Sequence, residues 1–78
     1  MMRTVNDLKP GQAGIVEEVA CEAGLRRRIA DMGITPGATV LMKRVAPFGD
    51  PIQISVRGFD LSIRKAEAQN IKLREGTN

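Results

Sequence analysis

The run from Leu25 to Val40 constrains this chain more than any other stretch, because it encodes a helix, a stop, a turn and a strand in immediate succession. Leu25, Ile29 and Met32 fall at i, i+4 and i+7, one stripe of a helix. Gly33 follows where a helix can end in a left-handed residue, a conformation glycine reaches without a steric cost. With Gly33 at C′, Ile29 is C3 and Ile34 is C″, the pair that a Schellman cap brings into apolar contact. Pro36 forbids further helix, and Pro36 with Gly37 suits the centre of a type II turn. Ala38 to Met42 then reads as strand.

A chain of 78 residues is a single domain, 1–78, and sits near the lower size limit for a self-sufficient core. Such a core leaves about 3–5 kcal/mol of net stability. One cysteine, Cys21, cannot form an intrachain disulfide, and there is no histidine. Cys21 is expected as a small, partly buried residue. No apolar run approaches the roughly 20 residues of a spanning helix, and the N-terminus lacks an apolar signal segment. The expectation is a soluble, cytoplasmic protein with no direct membrane insertion. The net charge of +3 favours encounter with an acidic partner but is far from that of a nucleic-acid-binding arm.

Taken in order, Thr4 to Leu8 reads as one helical turn, with Val5 and Leu8 at i, i+3. Pro10-Gly11 is a second turn leading into a first strand, Gly14 to Val19. Ile15 and Val19 share parity while Val16 breaks it, which predicts a bulge or burial on both faces. Among residues 21–24 only Gly24 offers itself as an N-cap for the helix. The second strand is Thr39 to Val45, and 46–51 is a loop by its two prolines, glycine and aspartate. Ile52, Ile54 and Val56 alternate with polar residues, Arg57-Gly58 makes a hairpin turn, and Phe59, Leu61 and Ile63 alternate in the partner strand. Arginine is not a preferred residue in such a turn. Phe59 is predicted to be buried. Lys65 to Asn70 is a helical turn, Ile71 and Leu73 a last strand, and residues 75–78 a frayed end.

Five short strands and one helix cannot cover both faces of an open sheet this small. Curling into a barrel would remove the exposed edges and enclose Val16, Val40, Ile54, Leu61 and Ile71. The predicted fold is therefore mainly β. It is a small SH3-like five-stranded barrel with one α-helix between the first two strands and a short helical turn before the last; an OB-like barrel is the competing closure. The helix is expected to cover one barrel opening with Leu25, Ile29 and Met32.

Chemistry is sparse. Without histidine the common neutral-pH general base is missing, and adjacent Glu17 and Glu18 make a poor acid/base pair. No phosphate-binding glycine loop is present. The thioethers of Met1, Met2, Met32 and Met42 and a carboxylate from Asp50 or Asp60 do not assemble a recognisable ligand spacing. No enzymatic activity, no cofactor and no tight metal site are expected. Arg26-Arg27-Arg28 fan over the helix face opposite the core stripe. Read as structure they are a solvated surface, with Arg28 pairing Asp31 at i, i+3; read as function they are a docking surface for an acidic partner. Single-strand binders stack bases on aromatics, and only Phe48 and Phe59 are present, so nucleic acid is the weaker candidate. The contact residues we select are Arg26, Arg27, Phe48 and Asp50. Short edge strands also allow two copies to pair weakly.

The ordered set Leu8 to Gly11, Ile15-Val16, Arg27 to Ile34, Pro36-Gly37, Ala46 to Pro51, and Leu61 to Arg64 before Ile71 resembles the FeoA family of bacterial ferrous-iron uptake, over nearly the whole chain. The resemblance implies an SH3-like barrel that supports FeoB, the membrane iron permease with a cytoplasmic GTP-binding domain. FeoA-like domains also occur in metal-dependent transcriptional repressors, behind a DNA-binding helical domain. The resemblance favours the stand-alone transport protein, with a metal-dependent regulator-type or nucleic-acid-binding barrel as the alternative.

Overall fold

A computed structural model describes residues 3–74. The expected frayed end at 75–78 and the thioethers of Met1 and Met2 lie outside the described residues. The chain begins with a 3-10 turn, Val5–Asp7, whose Asp7 carboxylate accepts from the Thr4 amide at 2.8 Å. Val5 and Leu8 are buried, as their spacing predicts. The Pro10-Gly11 turn closes with Gln12 N–H donating to the Lys9 carbonyl at 2.9 Å.

The remaining elements are β1 (Ala13–Val19), α1 (Ala23–Asp31), β2 (Thr39–Val45), β3 (Ile52–Val56), β4 (Phe59–Ile63), α2 (Lys65–Ala68) and β5 (Ile71–Leu73). The strands form one antiparallel sheet in the order β4-β3-β2-β1-β5. It bears out the mainly β architecture with its inserted helix, with one correction. β4 and β5 do not pair, so the sheet curls around its core without closing and keeps two edges. Along β5 the N-terminal segment runs beside the edge: Leu73 N–H donates to the Arg3 carbonyl at 2.7 Å, and Thr4 bridges Lys72.

Among the described residues sixteen buried apolar residues make one core. Val16, Val40, Ile54 and Ile71 are fully inside it, but Leu61 is only half-buried because its strand lies at the open edge. The parity break in β1 is resolved by a register shift between Val16 and Glu18 against β5, which buries both Val16 and Val19. A second shift between Met42 and Arg44 lets β2 turn across β3. Ile52, Ile54 and Val56 point inward with polar residues between them, as predicted. Phe59 does not follow the pattern. It is 71% exposed, since it stands at the tip of an edge hairpin with no layer above it.

The corner after α1 forms as its residues dictate. Gly33 adopts φ 91°, its N–H reaches the Ala30 carbonyl at 2.9 Å, and Ile34 N–H reaches the Ile29 carbonyl at 3.3 Å, the two bonds of a Schellman cap. Ile29 and Ile34 are both fully buried. Ala38 N–H then closes the Pro36-Gly37 turn on the Thr35 carbonyl at 2.9 Å, and Gly37 N–H docks it on the Val16 carbonyl at 2.8 Å. At the other end of α1 the N-cap is Glu22, not Gly24: its carboxylate oxygens accept from Leu25 N–H at 2.7 Å and Gly24 N–H at 3.0 Å. A glutamate is long for this role, but two open donors at the N-terminal end of the helix hold the carboxylate.

Candidate partner-docking site

The single core-facing stripe of α1 fixes where its arginines go. Ile29 is buried, Leu25 and Met32 are half-buried against the core, and Arg26, Arg27 and Arg28 are all exposed. They are not equivalent. Arg28 does not pair with Asp31; its guanidinium lies 3.8 Å from the Glu67 carboxylate on α2, which packs close enough to compete. Arg26 and Arg27 have no ion pair or side-chain hydrogen bond among the described residues, so both cations are available to a partner. Glu17 and Glu18, by contrast, are engaged with Arg74 at 3.2 Å and Lys72 at 3.9 Å. Both are exposed to solvent.

Arg26 stands on the rim of a groove of about 220 Å³ lined by Val19, Ala30 and Pro36, with Glu18 and Thr35 at its margin and the fully buried Ile34 beneath it. An apolar floor beneath an unpaired cation suits a partner segment that offers an apolar side chain beside a carboxylate. The groove exists because the Schellman corner folds Ile34 back under α1.

The 46–51 loop carries the other two selected residues. Phe48 is 98% exposed, a large aromatic with almost no contact to its own chain. Asp50 is already engaged within the molecule. Its Oδ1 accepts from the Lys65 N–H at 3.0 Å, which ties the loop to the first turn of α2. A second groove, about 560 Å³, opens at the base of this loop between Arg44, Val45, Pro47, Pro51, Gln53 and Ser62. Arg26 and the 46–51 loop border different grooves, the first beside Val19, Ala30 and Pro36 and the second beside Arg44, Gln53 and Ser62. Among the described residues no group of three His, Cys, Asp or Glu side chains could hold a metal ion. Cys21 is a half-exposed free thiol packed against the core.

Sequence reasoning passes over Arg57 as a contributor to this region. It sits at φ 52° in the β3–β4 turn, beside Gly58 at φ 86°. Its guanidinium donates to the Gly33 carbonyl at 3.0 Å through Nε and to Thr35 Oγ1 at 2.9 Å. These two bonds bracket Ile34 and fasten the hairpin to the corner after α1. The available signal is the turn itself, since an arginine where asparagine or glycine is usual invites the question of what its side chain holds.

A family-wide sequence profile described as the FeoA domain matches residues 3–75. The chain belongs to the FeoA family. A Porphyromonas gingivalis protein described as an Fe(2+) transport protein A/Fe(2+) transporter FeoB fusion is 26% identical over 69 residues, which cover 88% of this chain and 8% of that one. The FeoA-like protein of Clostridium acetobutylicum has the same structure, with a TM-score of 0.88 at 34% identity, over 99% of this chain and 90% of that one. Stenotrophomonas maltophilia FeoA, described as a procaryotic SH3 domain protein and solved in complex with zinc, superposes with a TM-score of 0.83 at 24% identity, over 96% of this chain and 93% of that one. That identity carries the fold alone, and it makes the open five-stranded FeoA barrel SH3-like.

Proposed function

We propose that this FeoA protein is a non-enzymatic cytoplasmic accessory of ferrous-iron uptake, acting by contact with a FeoB-type membrane permease and its GTP-binding domain, with ferrous iron as the cargo of the permease. The observation that carries this reading is the P. gingivalis protein, in which a similar domain and a FeoB transporter share one chain. Fusion holds two domains at high effective concentration. Where they are separate chains, the contact needs its own affinity, and charge steering is a cheap source of it. Arg26 and Arg27 are free to supply that steering, and the groove under Arg26 gives a partner's apolar side chain somewhere to sit.

Pull-down of a detergent-solubilised FeoB-type permease by this protein tests the reading. Arg26→Glu with Arg27→Glu is expected to weaken capture about tenfold or more at low salt, two reversed charges amounting to at least about 1.4 kcal/mol. The thermal melt should stay nearly unchanged, because neither side chain has a partner to lose. Undiminished capture by the variant removes this surface from the proposal. Failure of the unaltered protein to capture any FeoB-type permease removes the adaptor reading itself.

A further inference from the structure

The open edge of β4 has a defined backbone pattern. Val56 and Phe59 face each other across a two-residue turn with both central residues at positive φ, so they form a hydrogen-bonded pair. Pairs then alternate along the ladder Ser55–Asp60, Ile54–Leu61, Gln53–Ser62 and Ile52–Ile63. Phe59, Leu61 and Ile63 therefore spend their backbone groups on β3. Asp60 and Ser62 direct theirs away from the sheet, where no strand meets them among the described residues. The odd residues on the core-side face become steadily more exposed toward the turn: Ile63 buried, Leu61 half-buried, Phe59 71% exposed.

We infer that this edge pairs with the same edge of a second copy, antiparallel and centred on Leu61, to give a two-fold homodimer. Three central registers are available, and the geometry separates them. Centred on Leu61, Asp60 faces Ser62 of the second copy in a hydrogen-bonded pair, twice over, so every outward N–H and C=O of both residues finds a partner. Centred on Asp60, two carboxylates stand directly opposite each other, which is repulsive. Centred on Ser62, Asp60 must pair with Arg64, whose N–H is already given to Glu67 Oε1 at 2.9 Å and whose carbonyl accepts from Glu67 and Ala68. Only the first register uses all the free groups.

Side chains agree with that register. Leu61 meets its symmetry mate across a close non-hydrogen-bonded pair, and Phe59 lies opposite Ile63 of the second copy, so the half-covered apolar row of each copy covers the other. On the opposite face Asp60 is diagonal to Arg64 of the second copy, within reach of an arginine, and Arg64 is exposed with no ion pair among the described residues. A five-residue edge buries little surface, less than about 1,200 Å², which places the dimer among weak, concentration-dependent contacts.

Sedimentation velocity of the full chain from micromolar to millimolar concentration tests the proposal, and a rise toward the dimer value is expected. Ser62→Pro removes an outward donor while leaving the β3 ladder its bonds, and should raise the dimer dissociation constant about tenfold or more. Because proline is not accepted at every strand φ, a charge swap gives a second route. Asp60→Arg and Arg64→Asp should each weaken the dimer, and the double variant should restore it. A monomer throughout the concentration range overturns the inference. So does a dimer indifferent to Ser62→Pro and to the charge swap. Amide protection of Asp60 and Ser62 by a FeoB-type permease, without self-association, would assign the edge to a strand of that partner and equally overturn it.

Discussion

The corner at 33–38 and the loop at 46–51 are both built from glycine and proline, yet they are held in opposite ways. At the corner, Gly33, Ile34, Gly37 and Ala38 all donate their amides to nearby carbonyls, and Ile34 is sealed in the core. In the loop, Ala46 and Gly49 make local backbone bonds, Asp50 reaches fifteen residues on to Lys65, and Phe48 is left in solvent. The same turn-forming residues thus make a rigid seat in one place and an exposed presentation in the other. The difference lies in whether an apolar residue between the turns enters the core.

Three substitutions break or sharpen that contrast. Ile34→Ala should have the largest effect, about 3 kcal/mol, because it deletes a fully buried side chain from between α1 and the sheet. In a domain holding about 3–5 kcal/mol in total, that leaves a marginal fold, measurable by urea titration. Gly33→Ala follows at about 1–2 kcal/mol. It forces a Cβ onto φ 91° and brings it within 3.3 Å of Arg57 Cδ, so the Arg57 bonds to Gly33 and Thr35 must shift as well. Phe48→Ala should be the smallest, within about 0.5 kcal/mol, since its ring touches almost nothing. A large loss of stability at Phe48, or none at Ile34, would abolish the distinction between seat and presentation.

What can be read in advance follows from how local each cause is. The Schellman cap, the Pro36-Gly37 turn and the bounds of β2 need only neighbours in sequence, and all are legible there. The bulge in β1 is visible as a parity conflict at Val16. Glu22 as N-cap is not, because the preference for short side chains hides a longer carboxylate with the reach to serve two donors. Phe59 and Leu61 carry a clean alternating pattern, but alternation reports which face a residue shares, and an edge strand lacks the second layer that would bury it. Helical spacing points Arg28 at Asp31, whereas Glu67 reaches it from an element whose placement only the fold supplies. At the candidate site, the fan of three arginines is legible. Which of them stay unpaired, and that Arg26 overlooks a groove lined by Val19, Ala30 and Pro36, depends on α2 and on the corner.

The strap of Arg3 and Thr4 along β5 has a consequence for how many copies can join. Cross-β fibres grow because each added chain offers a fresh open side to the next. In this molecule residues 3 and 4 already bond β5 at Lys72 and Leu73, so union through β4 uses the one edge strand that no other segment meets among the described residues. Assembly by that route terminates at two.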